Sequence, residues 1–233
     1  MTTTVVFDMD DTLYDEVDFC RSGFAAVAAF LANVPNLTAS PTETQIRDAF
    51  GAQFDAGNRT SVFNAALDEL GIAYTPEMIK HLVGVYREHT PEITLPAESK
   101  DVLELLSGEY VLALLTDGFL PTQRLKAHAL GLGEYFQAVI YTEELGRECW
   151  KPSTKGFKHL LKQLHEKPSN CVYVADNAKK DFIGPKKLGM PTIQLIRPNR
   201  LHDAWPVDAD AAPDQIIASI TQLPHALKHI VQP

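Results

Sequence analysis

The chain is poor in cysteine. Its three cysteines, Cys20, Cys149 and Cys171, lie far apart, and no two of them form a Cys-x-x-Cys pair. An odd number of widely spaced cysteines argues against a disulfide framework and against a zinc site built on thiolates. Cysteines that stay reduced fit a cytoplasmic location, which we therefore expect.

The chain also lacks a basic leader, long apolar runs and an excess of positive charge. The first residues, MTTTVVFDMDD, have no basic region followed by an apolar stretch, so we expect no signal peptide. No apolar run approaches the length that crosses a bilayer, so we expect no membrane partner. The formal net charge of -9 argues against binding of a nucleic acid polymer, because phosphate backbones require clustered Lys and Arg. One local cation would still be enough for a small phosphorylated ligand.

Short apolar segments alternate with helical patterns over most of the chain. Five segments have strand length, at residues 3–7, 110–115, 138–141, 171–175 and 192–196. Helical patterns lie between the later segments, at residues 120–130, 153–165 and 178–188, and Pro185 is expected to kink or break the last of them. This alternation predicts an α/β fold with a doubly wound parallel sheet. Ligands of such sheets bind beyond the carboxyl ends of the strands.

One long stretch interrupts the alternation. It contains only helical patterns, at residues 18–31, 42–54, 61–70 and 76–89. Four helices exceed what one crossover needs, so we predict an inserted α-helical cap domain at residues 15–95. The α/β core then comprises residues 1–14 and 96–233. The alternative is a long helical connection packed on one face of the sheet. After residue 196 we expect irregular chain up to a last helix near residues 213–223.

The first polar cluster follows the first predicted strand, in the sequence Asp8-Met9-Asp10-Asp11-Thr12. Two carboxylates two residues apart at a strand end can point to the same side of the chain. Such a pair suits a nucleophile with a general acid/base, or shared metal ligation. The alternative is a turn with an Asx bond and a helix cap, and the motif alone leaves the two readings at about even odds.

The second cluster, Thr116-Asp117-Gly118, follows the next predicted strand. A hydroxyl followed by backbone amides that a glycine leaves accessible can bind phosphate oxygens. Taken alone, a strand-to-helix turn with Thr116 or Asp117 as the N-cap explains these residues better.

The third cluster is Lys151-Pro152, just before a predicted helix. The lysine would supply a compact positive charge that neutralises a phosphoryl group or holds a carboxylate. In isolation, a solvated surface lysine is the more common outcome.

The fourth cluster follows the strand at residues 171–175 and contains Asp176, Asn177 and Asp181. Acidic residues at a buried strand end are costly unless they are paired or bound to a metal. Oxygen ligands without sulfur favour magnesium over zinc. The alternative is a helix capped by Asp176, with Asp181 on a solvated face.

The four clusters, in this order at successive strand ends, resemble the signature of the haloacid dehalogenase-like hydrolase superfamily. The resemblance covers nearly the whole chain and extends to Gln123 and Lys126 after the second motif. It departs from the usual pattern at three positions, where Asp117 replaces Asn, Ala175 replaces Gly and Pro185 replaces Ala. None of these changes removes a reacting group. The resemblance implies a Rossmann-like core with the helical cap inserted between the first two motifs.

The resemblance also implies a role for each site residue. Asp8 would attack phosphorus and form an aspartyl-phosphate, and Asp10 would protonate the leaving oxygen and then activate water. Thr116, Asp117, Gly118 and Lys151 would bind the transferring phosphoryl group. Magnesium would be held by Asp8, the backbone carbonyl of Asp10, and Asp176. Asp181 and Asn177 would support the lysine or the metal, with Asp176 preferred over Asp181 as the direct ligand.

These roles describe a magnesium-dependent phosphatase acting on a small phosphate monoester, either a nucleotide or a sugar phosphate, with the nucleotide slightly preferred. The presence of Asp10 separates the chain from true haloacid dehalogenases, which lack this second acid. A phosphomutase of the same family shares every motif and stays an alternative. A phosphoacceptor receiver module is a less favoured one, because it has no place for the helical insertion and carries its acceptor Asp on a middle strand. A catalytically silent binding protein would not need the intact acids and lysine.

Overall fold

The core of the fold is a six-stranded parallel sheet. The computed structural model describes residues 2–35, 37–202, 205 and 209–230. The strands run in the order β3-β2-β1-β4-β5-β6, and every neighbouring pair is parallel. Their bounds are β1 Thr4–Phe7, β2 Val111–Thr116, β3 Ala138–Tyr141, β4 Cys171–Ala175, β5 Thr192–Leu195 and β6 Gln215–Ile217. The α/β class and the parallel sheet predicted from the sequence are confirmed, and the five predicted strands become β1 to β5.

The strand β1 occupies the interior of the sheet. It pairs with β2 on one side and with β4 on the other, and all four of its residues are fully buried. Side chains of a strand alternate between the two faces, so burial of every residue means that both faces are covered. The chain builds β2 and β3 on one side of β1 and then returns to build β4 on the other. This reversal of strand order creates the crevice in which ligands of open α/β sheets bind.

Nine α-helices occur within the described residues. Their bounds are α1 Glu16–Ala32, α2 Glu43–Asp55, α3 Val62–Glu69, α4 Pro76–Glu88, α5 Ala97–Ser107, α6 Thr122–Ala129, α7 Lys155–Leu164, α8 Ile183–Lys187 and α9 Leu223–His229. Six of the seven helical patterns of the sequence up to residue 188 match α1 to α4, α6 and α7 within about two residues, the usual uncertainty of helix ends. The helix α5 was not predicted.

The predicted helix at residues 178–188 is largely wrong, because only its second half is helical. The carbonyl of Asn177 accepts hydrogen bonds from the amides of Lys180 and Asp181, which forms a turn. The Asp181 side chain points into the protein and is fully buried. The helix α8 starts after this turn, and Pro185 is tolerated because it lies in the first helical turn, where no amide hydrogen bond is lost.

The predicted last helix at residues 213–223 is also wrong. Asp214 accepts hydrogen bonds from the amide (2.8 Å) and the hydroxyl (2.7 Å) of Thr192, which anchors the segment at the start of β5. Residues Gln215–Ile217 then pair with β5 as the edge strand β6, and the helix α9 begins at Leu223. An apolar pair flanked by polar residues suits a short edge strand as well as a helix face, so the sequence pattern was ambiguous. The end of the predicted core, residues 231–233, lies outside the described residues.

The chain divides into two compact units, one of residues 1–17 and 94–233 and one of residues 18–93. The second unit contains most of α1 together with α2, α3 and α4. Its centre is a cluster of aromatic rings, with centroids 5.5 Å apart for Phe24 and Phe54 and 5.1 Å apart for Phe50 and Phe63. Such edge-to-face pairs stabilise a core beyond their buried area. The role of this unit as a cap stays a prediction.

None of the helices in the described ranges combines the length and the apolar character that crossing a bilayer would require.

Candidate active site

Asp8 lies directly after β1, at the carboxyl end of the sheet. Its amide donates to the carbonyl of Val174 in β4 at 2.9 Å, so the neighbouring strand fixes its backbone. Its carboxylate is buried and lies 2.9 Å from the ammonium of Lys151. Burial raises the pKa of Asp8 to about 7, although the charge of Lys151 opposes this rise.

The ammonium of Lys151 has three partners. It lies 2.9 Å from Asp8, 2.8 Å from Asp181 and 3.0 Å from the hydroxyl of Tyr173. The lysine side chain is 1% exposed, so the two carboxylates rather than water balance its charge. Burial alone would lower the pKa of Lys151, but Asp181 and Asp8 hold that pKa well above its usual range. The lysine is therefore a permanent cation beside Asp8.

Three carboxylates form a tight group at this end of the sheet. One oxygen each of Asp8, Asp176 and Asp181 lies within 4.8 Å of the other two. The oxygen Oδ2 of Asp176 is buried and has no hydrogen-bond partner among the described residues. Burial, and then the charges of Asp181 and Asp8, raise the pKa of Asp176 well above its usual range. Buried oxygen ligands that lack enough positive charge fit a divalent cation such as Mg²⁺.

The backbone around Asp176 is held in place by β5 and by a turn. The side-chain amide of Gln194 donates to the backbone carbonyl of Asp176 at 2.8 Å. The amide of Asn177 donates to Oδ2 of Asp181 at 2.9 Å, and the side chain of Asn177 accepts from the amide of Lys179 at 3.1 Å. Asn177 thus shapes the turn that carries Asp181 to Lys151.

The side chain of Asp10 is held by three donors. Oδ1 accepts hydrogen bonds from the hydroxyl of Tyr14 at 2.7 Å and from the ammonium of Lys126 at 2.8 Å. Oδ2 accepts a hydrogen bond from the side-chain amide of Gln123 at 2.8 Å. Burial alone would raise the pKa of Asp10, but the charge of Lys126 and these hydrogen bonds lower it. The side chain of Asp10 does not belong to the cluster formed by Asp8, Asp176 and Asp181. The predicted metal ligand of Asp10 is its backbone carbonyl.

The residues of the second motif lie at the end of β2. The hydroxyl of Thr116 accepts a hydrogen bond from Gln123 at 2.8 Å. The carboxylate of Asp117 accepts from the hydroxyl of Thr142 at 2.7 Å and from the amide of Lys151 at 3.0 Å, so Asp117 connects three loops. Gly118 has φ 145°, and a Cβ there would lie 2.7 Å from carbons of Gln123. Only glycine fits this position without moving Gln123.

A cavity of about 210 Å³ opens between these motifs. It is lined by Asp8, Asp10, Glu16, Asp117, Gly118, Phe119, Trp150, Asp176, Lys180 and His202. A larger cavity of about 560 Å³ lies near Pro191 and Asp214, just before β5 and β6. That position is the amino end of the strands, opposite the end at which α/β sheets bind ligands. We therefore assign the smaller cavity as the candidate active site.

The structure brings every predicted site residue to this one end of the sheet. It adds three side chains that the sequence pattern did not place in the site: Tyr14, Tyr173 and Lys126, together with the contacts of Gln123. Tyr173 had a sequence signal, because its hydroxyl stands in an otherwise apolar buried strand and needs a polar partner. Gln123 and Lys126 were noticed only as part of the family resemblance.

Comparisons with known proteins show which proteins the chain resembles. A family model described as haloacid dehalogenase-like hydrolase matches residues 2–189. The chain is 26% identical over 249 residues to glyceraldehyde 3-phosphate phosphatase of Methanocaldococcus jannaschii, covering 97% of both chains. It is 26% identical to N-acylneuraminate-9-phosphatase of Homo sapiens, covering 97% of this chain and 94% of that one.

A solved structure described as a 2-haloacid dehalogenase from Pseudomonas syringae superposes with a TM-score of 0.66 at 27% identity, covering 98% of this chain and 99% of that one. The family match spans most of the chain and the curated relatives are phosphatases, so the predicted enzyme class, a phosphoric monoester hydrolase, is confirmed. The chain belongs to the haloacid dehalogenase-like hydrolase family.

Proposed function

We propose that the protein is a magnesium-dependent phosphatase that hydrolyses a small phosphate monoester through an aspartyl-phosphate on Asp8. The observation that carries this proposal is the position of Asp8. Its carboxylate lies 2.9 Å from a buried lysine and within 4.8 Å of two further carboxylates, at the carboxyl end of a parallel sheet. A carboxylate that lies beside a permanent cation, in a group of carboxylates that could hold a metal ion, suits attack on an anionic phosphorus centre.

Asp8, Asp176 and the carbonyl of Asp10 would hold the magnesium ion, and Asp181 would support them. When bound, the ion neutralises negative charge on the phosphoryl group and on the carboxylates. Asp8 attacks phosphorus, and the bond from phosphorus to the ester oxygen breaks. The charge of Lys151 opposes the effect of burial and so favours the ionised form of Asp8, which is the form that attacks. The hydroxyl of Thr116 and the amides that follow it bind the phosphoryl oxygens.

Asp10 carries a proton in both halves of the reaction. In the first half it gives a proton to the leaving ester oxygen, so that an alcohol departs. In the second half it takes a proton from water as that water attacks the phosphorus of the aspartyl-phosphate, which releases phosphate and restores Asp8. The proton spent in the first half is thus regained in the second. The lowered pKa of Asp10 favours the ionised form that the second half requires.

We propose a small phosphorylated metabolite, a sugar phosphate or a nucleotide, as the substrate. The relatives named above act on glyceraldehyde 3-phosphate and on an N-acylneuraminate 9-phosphate, which favours the sugar phosphates. The cavity of about 210 Å³ has room for a phosphoryl group and a few further atoms. We further propose that residues 18–93 act as a cap that selects the rest of the substrate, and that the enzyme works in the cytoplasm.

A panel of phosphorylated metabolites tests this function. We expect phosphate release that requires Mg²⁺ and stops on chelation. We expect Asp8→Asn to lose activity by at least about 10⁴-fold, since the nucleophile is gone. Asp101→Asn, which changes an exposed aspartate of α5, is the matched control and should retain full activity.

Four outcomes would refute all or part of the proposal. Full activity of Asp8→Asn would refute the nucleophile, and turnover indifferent to chelator would refute the metal. Transfer of the phosphoryl group to a second hydroxyl of the substrate, in place of phosphate release, would identify a phosphomutase. Halide release from a 2-haloacid without phosphate release from any ester would identify a dehalogenase.

A further inference from the structure

Two side chains of α6, Gln123 and Lys126, reach the acid/base residue of the proposed reaction. We propose that they are positioning residues, which fix the orientation of Asp10 and connect it to the phosphoryl-binding hydroxyl of Thr116. The inference rests on the proposed function, because it assigns Asp10 and Thr116 the roles given there. Neither α6 side chain touches the reacting atoms in this scheme; both act through the residues that do.

The amide of Gln123 bridges the two catalytic motifs. Its nitrogen lies 2.8 Å from Oδ2 of Asp10 and 2.8 Å from the hydroxyl of Thr116. An ionised carboxylate can only accept hydrogen bonds, so the amide must present its nitrogen, not its oxygen, to Asp10. The same side-chain amide group therefore donates to both residues, of which Asp10 lies in the loop after β1 and Thr116 is the last residue of β2.

This bridge also orients the Thr116 hydroxyl. The hydroxyl oxygen accepts a hydrogen bond from Gln123, so its own proton remains to be donated to another acceptor. A phosphoryl oxygen is such an acceptor. Gln123 thus prepares Thr116 as a donor while it holds Asp10, and one side chain sets the geometry of both groups.

Lys126 holds the other carboxylate oxygen of Asp10. Its side chain is 4% exposed, and its ammonium lies 2.8 Å from Asp10 and 3.3 Å from Glu16. Gln123 and Lys126 are three residues apart in α6, a spacing that places both side chains on the same face of a helix. With Tyr14 also bound to Oδ1, both oxygens of Asp10 are fixed and the carboxylate cannot rotate freely.

The dependence of the rate on the leaving group separates positioning from packing. Phenolate needs a proton from Asp10 when it leaves, whereas p-nitrophenolate is stable enough to leave without one. Binding of the phosphoryl group by Thr116 is the same for both esters. The ratio of kcat/KM for phenyl phosphate to that for p-nitrophenyl phosphate therefore reports Asp10 alone.

We expect Gln123→Met to lower kcat/KM for phenyl phosphate at least about tenfold more than that for p-nitrophenyl phosphate, because a misplaced acid loses much of its effect. Lys126→Met should shift the ratio in the same direction. Gln163→Met and Lys162→Met change exposed residues of α7 and are the matched controls, with a ratio equal to that of the wild type. If Gln123→Met does not fold, Gln123→Asn, with an amide one methylene shorter, gives the same test.

Equal losses for the two esters in all folded α6 variants would overturn the inference and leave the proposed function intact. Wild-type protein that releases phosphate from neither ester nor any metabolite would refute the proposed function, and the positioning role with it. A selective loss for phenyl phosphate in the α6 variants but not in the α7 controls would support both.

Discussion

Removing the charge of Lys151 should destabilise the core strongly. In Lys151→Met, the carboxylates of Asp8 and Asp181 lose a cation that lies 2.9 and 2.8 Å away. At an effective dielectric constant of about 20, each contact carries roughly 6 kcal/mol of attraction, part of which is offset by the cost of burying the lysine. The two carboxylates, with oxygens within 4.8 Å of each other, repel by at least roughly 3.5 kcal/mol, and without the lysine no cation offsets this repulsion. We expect a net loss of about 3–5 kcal/mol in the free energy of unfolding.

The loss should depend on pH in a defined direction. The pKa of Asp8 is already raised to about 7 with Lys151 in place, and removal of the lysine would raise it further. A carboxyl group with a raised pKa in the folded state binds protons more tightly when folded. Protonation of Asp8 therefore stabilises the folded state at low pH, and this stabilisation is lost as the pH rises through the raised pKa. Lys151→Met should therefore lose more stability at pH 8 than at pH 6.

Tryptophan fluorescence in urea, without added metal, measures this loss. Both tryptophans, Trp150 and Trp205, belong to the unit that contains the sheet, so the signal reports that unit. Lys162→Met, an exposed lysine of α7, is the matched control and should change stability by less than about 0.5 kcal/mol. A loss for Lys151→Met within about 1 kcal/mol of this control, or one that grows as the pH falls, would refute the charge balance described for the site.

Three further predictions concern the same site. Tyr173→Phe removes one partner of the Lys151 ammonium (3.0 Å) and should cost about 1–3 kcal/mol in urea unfolding; an unchanged midpoint would contradict that hydrogen bond. Gly118→Ala, at φ 145°, should displace Gln123 and lower kcat/KM at least about tenfold. The control Gly108→Ala, with a Cβ 3.5 Å from its nearest neighbour, should leave kcat/KM unchanged. Equal activities of the two variants would show that the loop at Gly118 tolerates the methyl group. Affinity for Mg²⁺ should fall as the pH drops from about 8 to 6, because protons compete with the ion for Asp8 and Asp176, whose pKa values are raised. Calorimetry in two buffers should show that protons are released when Mg²⁺ binds. An affinity that does not change with pH would refute this competition.

The sequence predicted the strands well and the connections between polar side chains poorly. The segments that became β1, β3 and β4 are continuous apolar runs, which in a buried parallel sheet have few other structures open to them. The edge strand β6 was missed because three residues give no periodicity and its pairing depends on Asp214 and Thr192, which are 22 residues apart. Three of the four motifs were noticed because they lie at the ends of predicted strands, and Lys151 was noticed because it comes just before a predicted helix. The contacts of Tyr173 with Lys151 and of Lys126 with Asp10 were not predicted, because they join residues that are 22 and 116 positions apart in the chain.

The helix α8 illustrates a different failure. Its apolar and basic residues fit a longer helix, and local propensity favoured a start at Ala178. The structure instead uses residues 177–181 to bring Asp181 to the lysine, and a buried ion pair outweighs the few tenths of a kcal/mol per residue that helix propensity offers. Propensity was overridden at a candidate functional site, where local rules are most often broken.

The interior position of β1 has a consequence for the order in which the chain folds. During synthesis β1 is made first, but its two neighbours, β2 and β4, begin only at Val111 and Cys171. Residues 18–93 form a continuous unit whose contacts can all be made once that segment has left the ribosome. The first strand, with Asp8 after it, has no partner until β2 is made and only one partner until β4 is made, because both contacts are distant in sequence. Before β2 is made, the nascent chain thus contains a complete helical unit that follows an apolar strand without a partner. The end of the sheet that holds the candidate active site is among the last parts to assemble.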